Sequence, residues 1–472
     1  MPGTLEASIA EAGIVMSCTI ALLTPYGGTN LGDQAIQFSF VDNLRRLPAD
    51  VDLIGLTLNP ERTAQIHGIA CYPITALDVD FYSESLFLPS ASPGPASSPE
   101  HPAAAAGEES KPLLTALRTR LRRVRSLVAC VHAARRLPRK LKGCLRELGF
   151  LVFAWRLVGR LRLLIVAGGG QIDDEWGGPW GHPYALARWT VLARLRGVPV
   201  AFASVGACRL EGRLSRGLMG TALRLAQFRS YRDEGSKVIL RRWAFTRGDP
   251  CFPDAAFALF EGGGMPPGGA GRDVIGISPI AFGRPESWPT RSEGVYAGYI
   301  AALADFVIAL CERGLRIAIF TTSGADSAAV RDLLRQIETQ RVGLPAGIDV
   351  QSTQTVASLQ ALLPRLRAVV ASRLHGVMLS HIGLVPVLAI SFDRKVDEHM
   401  ADMELGEYCT GIRDIRAADL TRMFERLLSR EQAVRALIRE RVRERADRVR
   451  EQFALLGALA GCGSARPAVV GE

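Results

Sequence analysis

The feature that most constrains this chain is a recurrence: short apolar runs end in glycine-rich or charged turns and lead into helix-compatible patterns. Eight such runs stand out. The first half holds Ile14–Leu23, Val51–Leu58, Leu161–Ala167 and Pro199–Val205; the second holds Val274–Ile280, Leu315–Thr321, Arg367–Ser372 and Pro386–Phe392. Strand followed by helix, repeated, yields parallel sheets with helices on both faces. The expected fold class is therefore α/β, with two doubly wound domains facing each other across a cleft. In open sheets of this kind ligands bind outside the carboxyl ends of the strands, so the strand-to-helix turns should carry the function.

The chain has 472 residues, 48% of them hydrophobic, more apolar material than one core usually serves. A twelve-residue stretch with six glycines and two prolines, Glu261–Arg272, suits a flexible crossing between domains. The expected division is residues 12–260 and 273–458, the second closing with charged helices from about Ala417. Residues 89–110 hold five prolines and no large apolar side chain, the composition of a disordered insertion.

A formal net charge of +10 suggests nucleic acid at first sight, but its distribution argues otherwise. Between Lys111 and Glu147 there are twelve Lys or Arg and one acidic residue, a net of +11 that leaves −1 for the remainder. Aromatics do not interleave with these charges, so no nucleic-acid partner is expected. The basic segment 111–147 reads either as a solvated helix or as one lying on anionic lipid at the inner face of the membrane. Nine scattered cysteines, none at Cys-x-x-Cys spacing, read as reduced thiols, and the residues before Ile14 carry no Lys or Arg. A cytoplasmic location is expected.

The turns differ in what they offer. Tyr26-Gly27-Gly28-Thr29-Asn30-Leu31-Gly32-Asp33 follows the first run. It reads either as a turn capped by Asp33 or as a loop whose glycines and helix start admit an anion. It is neither a Walker loop nor Gly-x-Gly-x-x-Gly. Gly168-Gly169-Gly170 ends the third run, with Trp176, Trp180, His182 and Tyr184 after it. These aromatics suit either loop packing or a sugar-stacking wall. In Ser230-Tyr231-Arg232-Asp233 an arginine sits beside an aspartate, as a surface ion pair or as a fixed fork for a carboxylate or phosphate. Ser372-Arg373-Leu374-His375-Gly376 opens a helix, where a histidine beside an arginine suits proton transfer to an anionic substrate. His381 should pack or face solvent, while Lys395, after the last run, can reach the same cleft. No metal-ligand cluster is evident, and no metal or other cofactor is expected.

Six elements taken in order resemble the polysaccharide pyruvyl transferase family: Gly27–Asp33, Gly168–Gly170, Tyr231-Arg232-Asp233 with Ser236, Asp249-Pro250 through Asp254, Ser372–Gly376, and Pro386-Val387 through Lys395. The resemblance implies two Rossmann-like domains similar to two-domain glycosyltransferases. It further implies phosphoenolpyruvate as donor and a hexose acceptor, within a polysaccharide or a lipid-linked oligosaccharide. By the same carry-over His375 is the catalytic histidine, and Arg373 and Arg232 hold the donor's carboxylate and phosphate. Asp33, Gly28, Asn30, Gly169 and Lys395 line the substrate cleft. The competing readings are a nucleotide-sugar glycosyltransferase and a non-catalytic glycan-binding relative.

Overall fold

The computed structural model describes residues 18–25, 30–48, 50–76, 143, 145–174, 177–208, 210, 212–241, 248–260, 273–284, 292–341 and 343–462. The insertion 89–110, the crossing 261–272 and most of the basic segment 111–147 lie outside them. The chain forms two compact units, residues 89–157 and all the rest.

The larger unit contains two six-stranded sheets. The first, in spatial order β3-β2-β1-β4-β5-β6, is built from β1 (Cys18–Leu23), β2 (Val51–Thr57), β3 (Ala70–Pro73), β4 (Leu163–Ala167), β5 (Val200–Val205) and β6 (Phe228–Tyr231). The second, β12-β11-β10-β7-β8-β9, is built from β7 (Val274–Ser278), β8 (Arg316–Ile319), β9 (Ile348–Val350), β10 (Ala368–Ala371), β11 (Val387–Ser391) and β12 (Cys409–Gly411). Every pairing is parallel. Strands β4, β5, β10 and β11 are buried throughout, which is why they read as unbroken apolar runs rather than alternating ones.

Strand order reverses between β1 and β4 in one sheet and between β7 and β10 in the other. Crevices open at such reversals, and here the turns after β1, β4 and β10 all carry residues that the sequence singles out. Helix α1 (Leu31–Arg45) follows β1, and α2 (Pro60–His67) lies between β2 and β3. Helices α3 (His182–Leu195), α4 (Arg213–Leu225) and α5 (Glu234–Arg241) follow in the first half, where residues 145–158 are also helical. The second has α6 (Glu293–Glu312), α7 (Ser327–Gln340), α8 (Val356–Leu362), α9 (Leu374–Ile382) and α10 (Arg394–Asp402). Then come α11 (Ala417–Ser429) and α12 (Glu431–Leu459). Helix α6 is the one described helix long and apolar enough to cross a membrane, yet Tyr299, Leu303, Phe306, Val307 and Leu310 are buried in the core.

Twenty-nine residues make α12 about 44 Å long, enough to bridge both halves. Near its start Arg435 donates to the carbonyls of Leu384 and Arg367 in the second half. Near its end Phe453 packs edge-on against Phe40, with ring centroids 5.1 Å apart, in the first. There the fully buried Gln452 receives hydrogen bonds from the hydroxyls of Ser230 (2.7 Å) and Ser204 (3.0 Å). The return of α12 also corrects the cysteine reading. Cys462, just past the helix, is disulfide-bonded to Cys18 at the start of β1, a pairing hidden by a separation of 444 residues. With that bond, cysteine usage no longer argues for a reducing compartment.

Candidate active site

The turn after β1 is sewn into the second half. Leu31 N–H donates to Thr322 O at 2.9 Å, and Asn30 forms a β-bridge with Ser323. Asn30, not Asp33, caps α1: its side-chain oxygen accepts from Gly32 N–H at 2.9 Å. Asp33 is thereby free to point inward from the first turn. Burial pushes its carboxyl above the ordinary value, against the opposing pull of His375 and Arg232. Gly28 lies outside the described residues.

Four glycines let the loops close. Gly168 and Gly169 have φ of +52° and +68°, a conformation glycine adopts without steric cost, and Gly169 O accepts from Gly206 N–H at 2.7 Å. A Cβ on Gly206 would lie 2.9 Å from Arg232 Nη2, and one on Gly169 would approach Asp33 Oδ1 to 3.8 Å. Gly32 is the tightest. A Cβ there would fall 2.0 Å from the imidazole of His375, so the ring rests directly on the first turn of α1.

Arg232, at the end of β6, is almost buried and shared. Its Nη1 is 3.4 Å from Asp254 Oδ2 and its Nε 3.4 Å from Asp233 Oδ2. Asp233 also caps α5 by accepting from Ser236 N–H at 2.6 Å. Asp254 is 4% exposed and faces both halves, its Oδ2 lying 3.9 Å from His375 Nε2, beyond hydrogen-bonding reach. Burial alone would raise its carboxyl, but the imidazole of His375 and the guanidinium of Arg232 bring it below the usual value. His375 Nε2 is buried without a hydrogen-bond partner among the described residues. Asp33, Arg232, Asp254 and His375 thus form one cluster with unfilled hydrogen-bonding capacity.

Arg373 goes elsewhere. It occupies the N-cap position of α9 with extended backbone (φ −77°, ψ 140°) and forks onto Asp326, Nη2 to Oδ1 at 2.9 Å and Nε to Oδ2. Asp326 is 1% exposed and also accepts from Ala281 N–H. Lys395 crosses between the halves, its Nζ 3.6 Å from Cys208 Sγ, and shares a cavity wall with Arg232.

The remaining motif residues are braces. His182 is buried against the side-chain oxygen of Gln171 at 3.1 Å, and burial lowers its pKa to about 4. Asp249 holds Arg229 bidentately at 2.9 and 3.0 Å and accepts from Tyr231. His381 is fully buried beside His399, nitrogens 3.0 Å apart, rather than in solvent. Trp180 is 62% exposed, with Tyr184 edge-on to it, while Trp176 is outside the described residues. Sequence reasoning gave Asp254 no role and missed Asp326 altogether. Lone carboxylates in unpatterned loops become partners only when the fold delivers an arginine. Among the described residues no group of three or more His, Cys, Asp or Glu is arranged to hold a metal.

Among solved structures the chain is similar to the S. aureus MnaA–UDP co-structure, with TM-score 0.52 and 8% identity, covering 96% of this chain and 100% of that one. It is also similar to a UDP-N-acetylglucosamine 2-epimerase, with TM-score 0.53, 8% identity and coverage of 97% and 99%. A glycosyltransferase from Rickettsia africae gives TM-score 0.50, 8% identity and coverage of 94% and 98%. At such identities these establish the two-domain glycosyltransferase and epimerase fold and nothing further. No curated protein matches the sequence. The profile of the polysaccharide pyruvyl transferase family does match, over residues 109–394, a span that includes Arg232, Asp254, Arg373 and His375 but not the Asp33 loop or Lys395. With more than half its length matched, the chain belongs to the polysaccharide pyruvyl transferase family.

Proposed function

We propose that this protein transfers the pyruvyl group of phosphoenolpyruvate to two hydroxyls of a hexose in a polysaccharide or its lipid-linked precursor, closing a cyclic ketal. The observation that carries this reading is the buried cluster of Arg232, Asp254 and His375 where the carboxyl ends of the two sheets meet. His375 delivers a proton to the methylene carbon of the enol phosphate, which becomes the methyl group, and the neighbouring carbon turns cationic. One sugar hydroxyl attacks that carbon and loses its proton. Phosphate leaves with its C–O bond, and the second hydroxyl closes the ring as it too is deprotonated. Arg232 orients the trianionic donor and offsets its charge, while Arg373, forked onto Asp326, chiefly anchors the turn that carries His375 and adds its charge to the donor's surroundings from the second half. The nearby carboxylates matter as much as the cations, because they fix the direction of each guanidinium.

The test is a thermal-shift titration of phosphoenolpyruvate against nucleotide sugars, followed by phosphate release with acceptor glycans. At a hundred times its dissociation constant the donor should add about 2.7 kcal/mol. Stabilisation by phosphoenolpyruvate that weakens in Arg232→Ala supports the reading. Stabilisation by a nucleotide sugar instead overturns it in favour of glycosyl transfer.

A further inference from the structure

We propose that the open cavity lined by α9, α10, α12, residues 232–234 and residues 251–257 is the acceptor pocket and takes a single neutral hexose ring. The word acceptor rests on the pyruvyl-transfer reading; the nature of the ligand rests on the cavity.

The volume is about 280 Å³, at the lower edge of small-molecule sites of roughly 300–1,000 Å³. That is room for one ring rather than a chain. Its charges nearly cancel. Arg232, Lys395, Arg445 and Arg448 face Asp233, Glu234, Asp254, Glu398 and Asp402 across the space. A trianionic donor gains no net attraction from four cations and five carboxylates. A ligand made of hydroxyls, each both donor and acceptor, suits such a wall.

The aromatic lining argues against a nucleotide. Arg448 covers the ring of Phe252 at 4.8 Å, and Arg445 stands over Phe257 at 5.9 Å. Both rings are buried, at 2% exposure each, so neither is open for a base to stack on. Arg445 is meanwhile held by the carbonyls of Asp402 (2.5 Å) and Arg441 (3.2 Å). Burial raises the carboxyls of Glu398 and Asp402, so both stand to gain from hydroxyl donors.

Location ties the cavity to the chemistry. Asp254 forms part of its wall, and the same carboxylate lies 3.9 Å from His375 Nε2. Leu374 and Met378, one turn apart on α9, supply the apolar floor while His375 turns from the same helix toward Gly32. A ring seated there presents its edge to the histidine.

The experiment is saturation-transfer NMR on the full chain with methyl pyranosides of glucose, galactose and mannose, alongside UDP-glucose. Phosphoenolpyruvate binding is measured separately by thermal shift. At least one glycoside should give transfer. Asp402→Asn and Glu398→Gln should weaken that glycoside roughly tenfold each, the loss of a hydrogen bond to a charged group. Glu398→Trp, which fills the mouth from a half-exposed position, should abolish its signal while the donor's thermal shift persists. The proposal falls if no glycoside binds, if the signal survives Glu398→Trp, or if UDP-glucose binds and is lost in that variant. A bound glycoside without a bound donor would retain the pocket and sink the pyruvyl-transfer reading; the reverse would do the opposite.

Discussion

Two arginines, one from each half, are treated differently by the fold. Arg373 is matched fork to fork with Asp326, a partner that is itself buried. Arg232 is stretched between Asp233 and Asp254 at 3.4 Å each, and the second of these also faces His375, whose Nε2 has no hydrogen-bond partner among the described residues. A bidentate pair of the first kind is complete by itself. The second arrangement is a set of charges pre-positioned but under-bonded, and an incoming anion completes it. The contrast assigns a mainly anchoring role to Arg373 and a responsive one to the cluster around Arg232.

The largest test of that contrast is His375→Ala. Proton transfer by a placed side chain contributes about 10²- to 10⁴-fold, so turnover should fall by that range while phosphoenolpyruvate still raises the melting temperature. Turnover near normal would leave the cluster without its acid. Gly32→Ala probes the same ring without replacing it. The new methyl needs the space the imidazole occupies, so the ring must swing away from Asp254. Turnover should drop about 10²-fold, toward the lower end of that range, with little change in melting temperature. Full activity would mean the ring's rest on α1 is incidental.

Next in size is the comparison of the two arginines by lysine. A lysine cannot reproduce a fork, so Arg373→Lys should lose about 1–3 kcal/mol of stability by leaving a lone pair of Asp326 unmet. Arg232→Lys begins from longer contacts and should lose less stability but more donor affinity. Urea midpoints together with donor titrations decide it, and equal stability losses would erase the distinction.

Legibility in the sequence divides along similar lines. All eight apolar runs hold strands, because strands buried on both faces leave a continuous signature. Strands β3, β9 and β12 have three or four residues with exposed or half-exposed positions, too little apolar material to read. Arg373 and His375 stand two apart and read as a single site. The chain switches there from an extended cap to the helical α9, which sends one to Asp326 and the other to Gly32. No local pattern reveals that switch, nor the roles of Asp254 and Asp326, since both depend on partners brought from distant segments.

The smallest expected effect concerns the residues behind the cluster. His399 is packed against His381, faces Arg445, and feels Asp254, His375 and Arg232; burial depresses its pKa to about 3. An unfolded histidine titrates near 6.5, so as pH falls below that value the unfolded chain takes up a proton that the folded chain refuses. Stability therefore declines from about pH 6.5 down to the folded pKa, by at most about 1.4 kcal/mol per pH unit for each such histidine. His67 and His182, both near 4, add to the same slope. In His399→Gln, urea midpoints between pH 7 and 5 should fall less steeply than in the parent by roughly one histidine's share. Arg373→Lys removes no histidine, so it should shift the curve without changing its slope. An unchanged slope in His399→Gln would mean that the ground beneath Arg232 is as settled as that beneath Arg373, and the contrast between the two arginines would then rest on bond lengths alone.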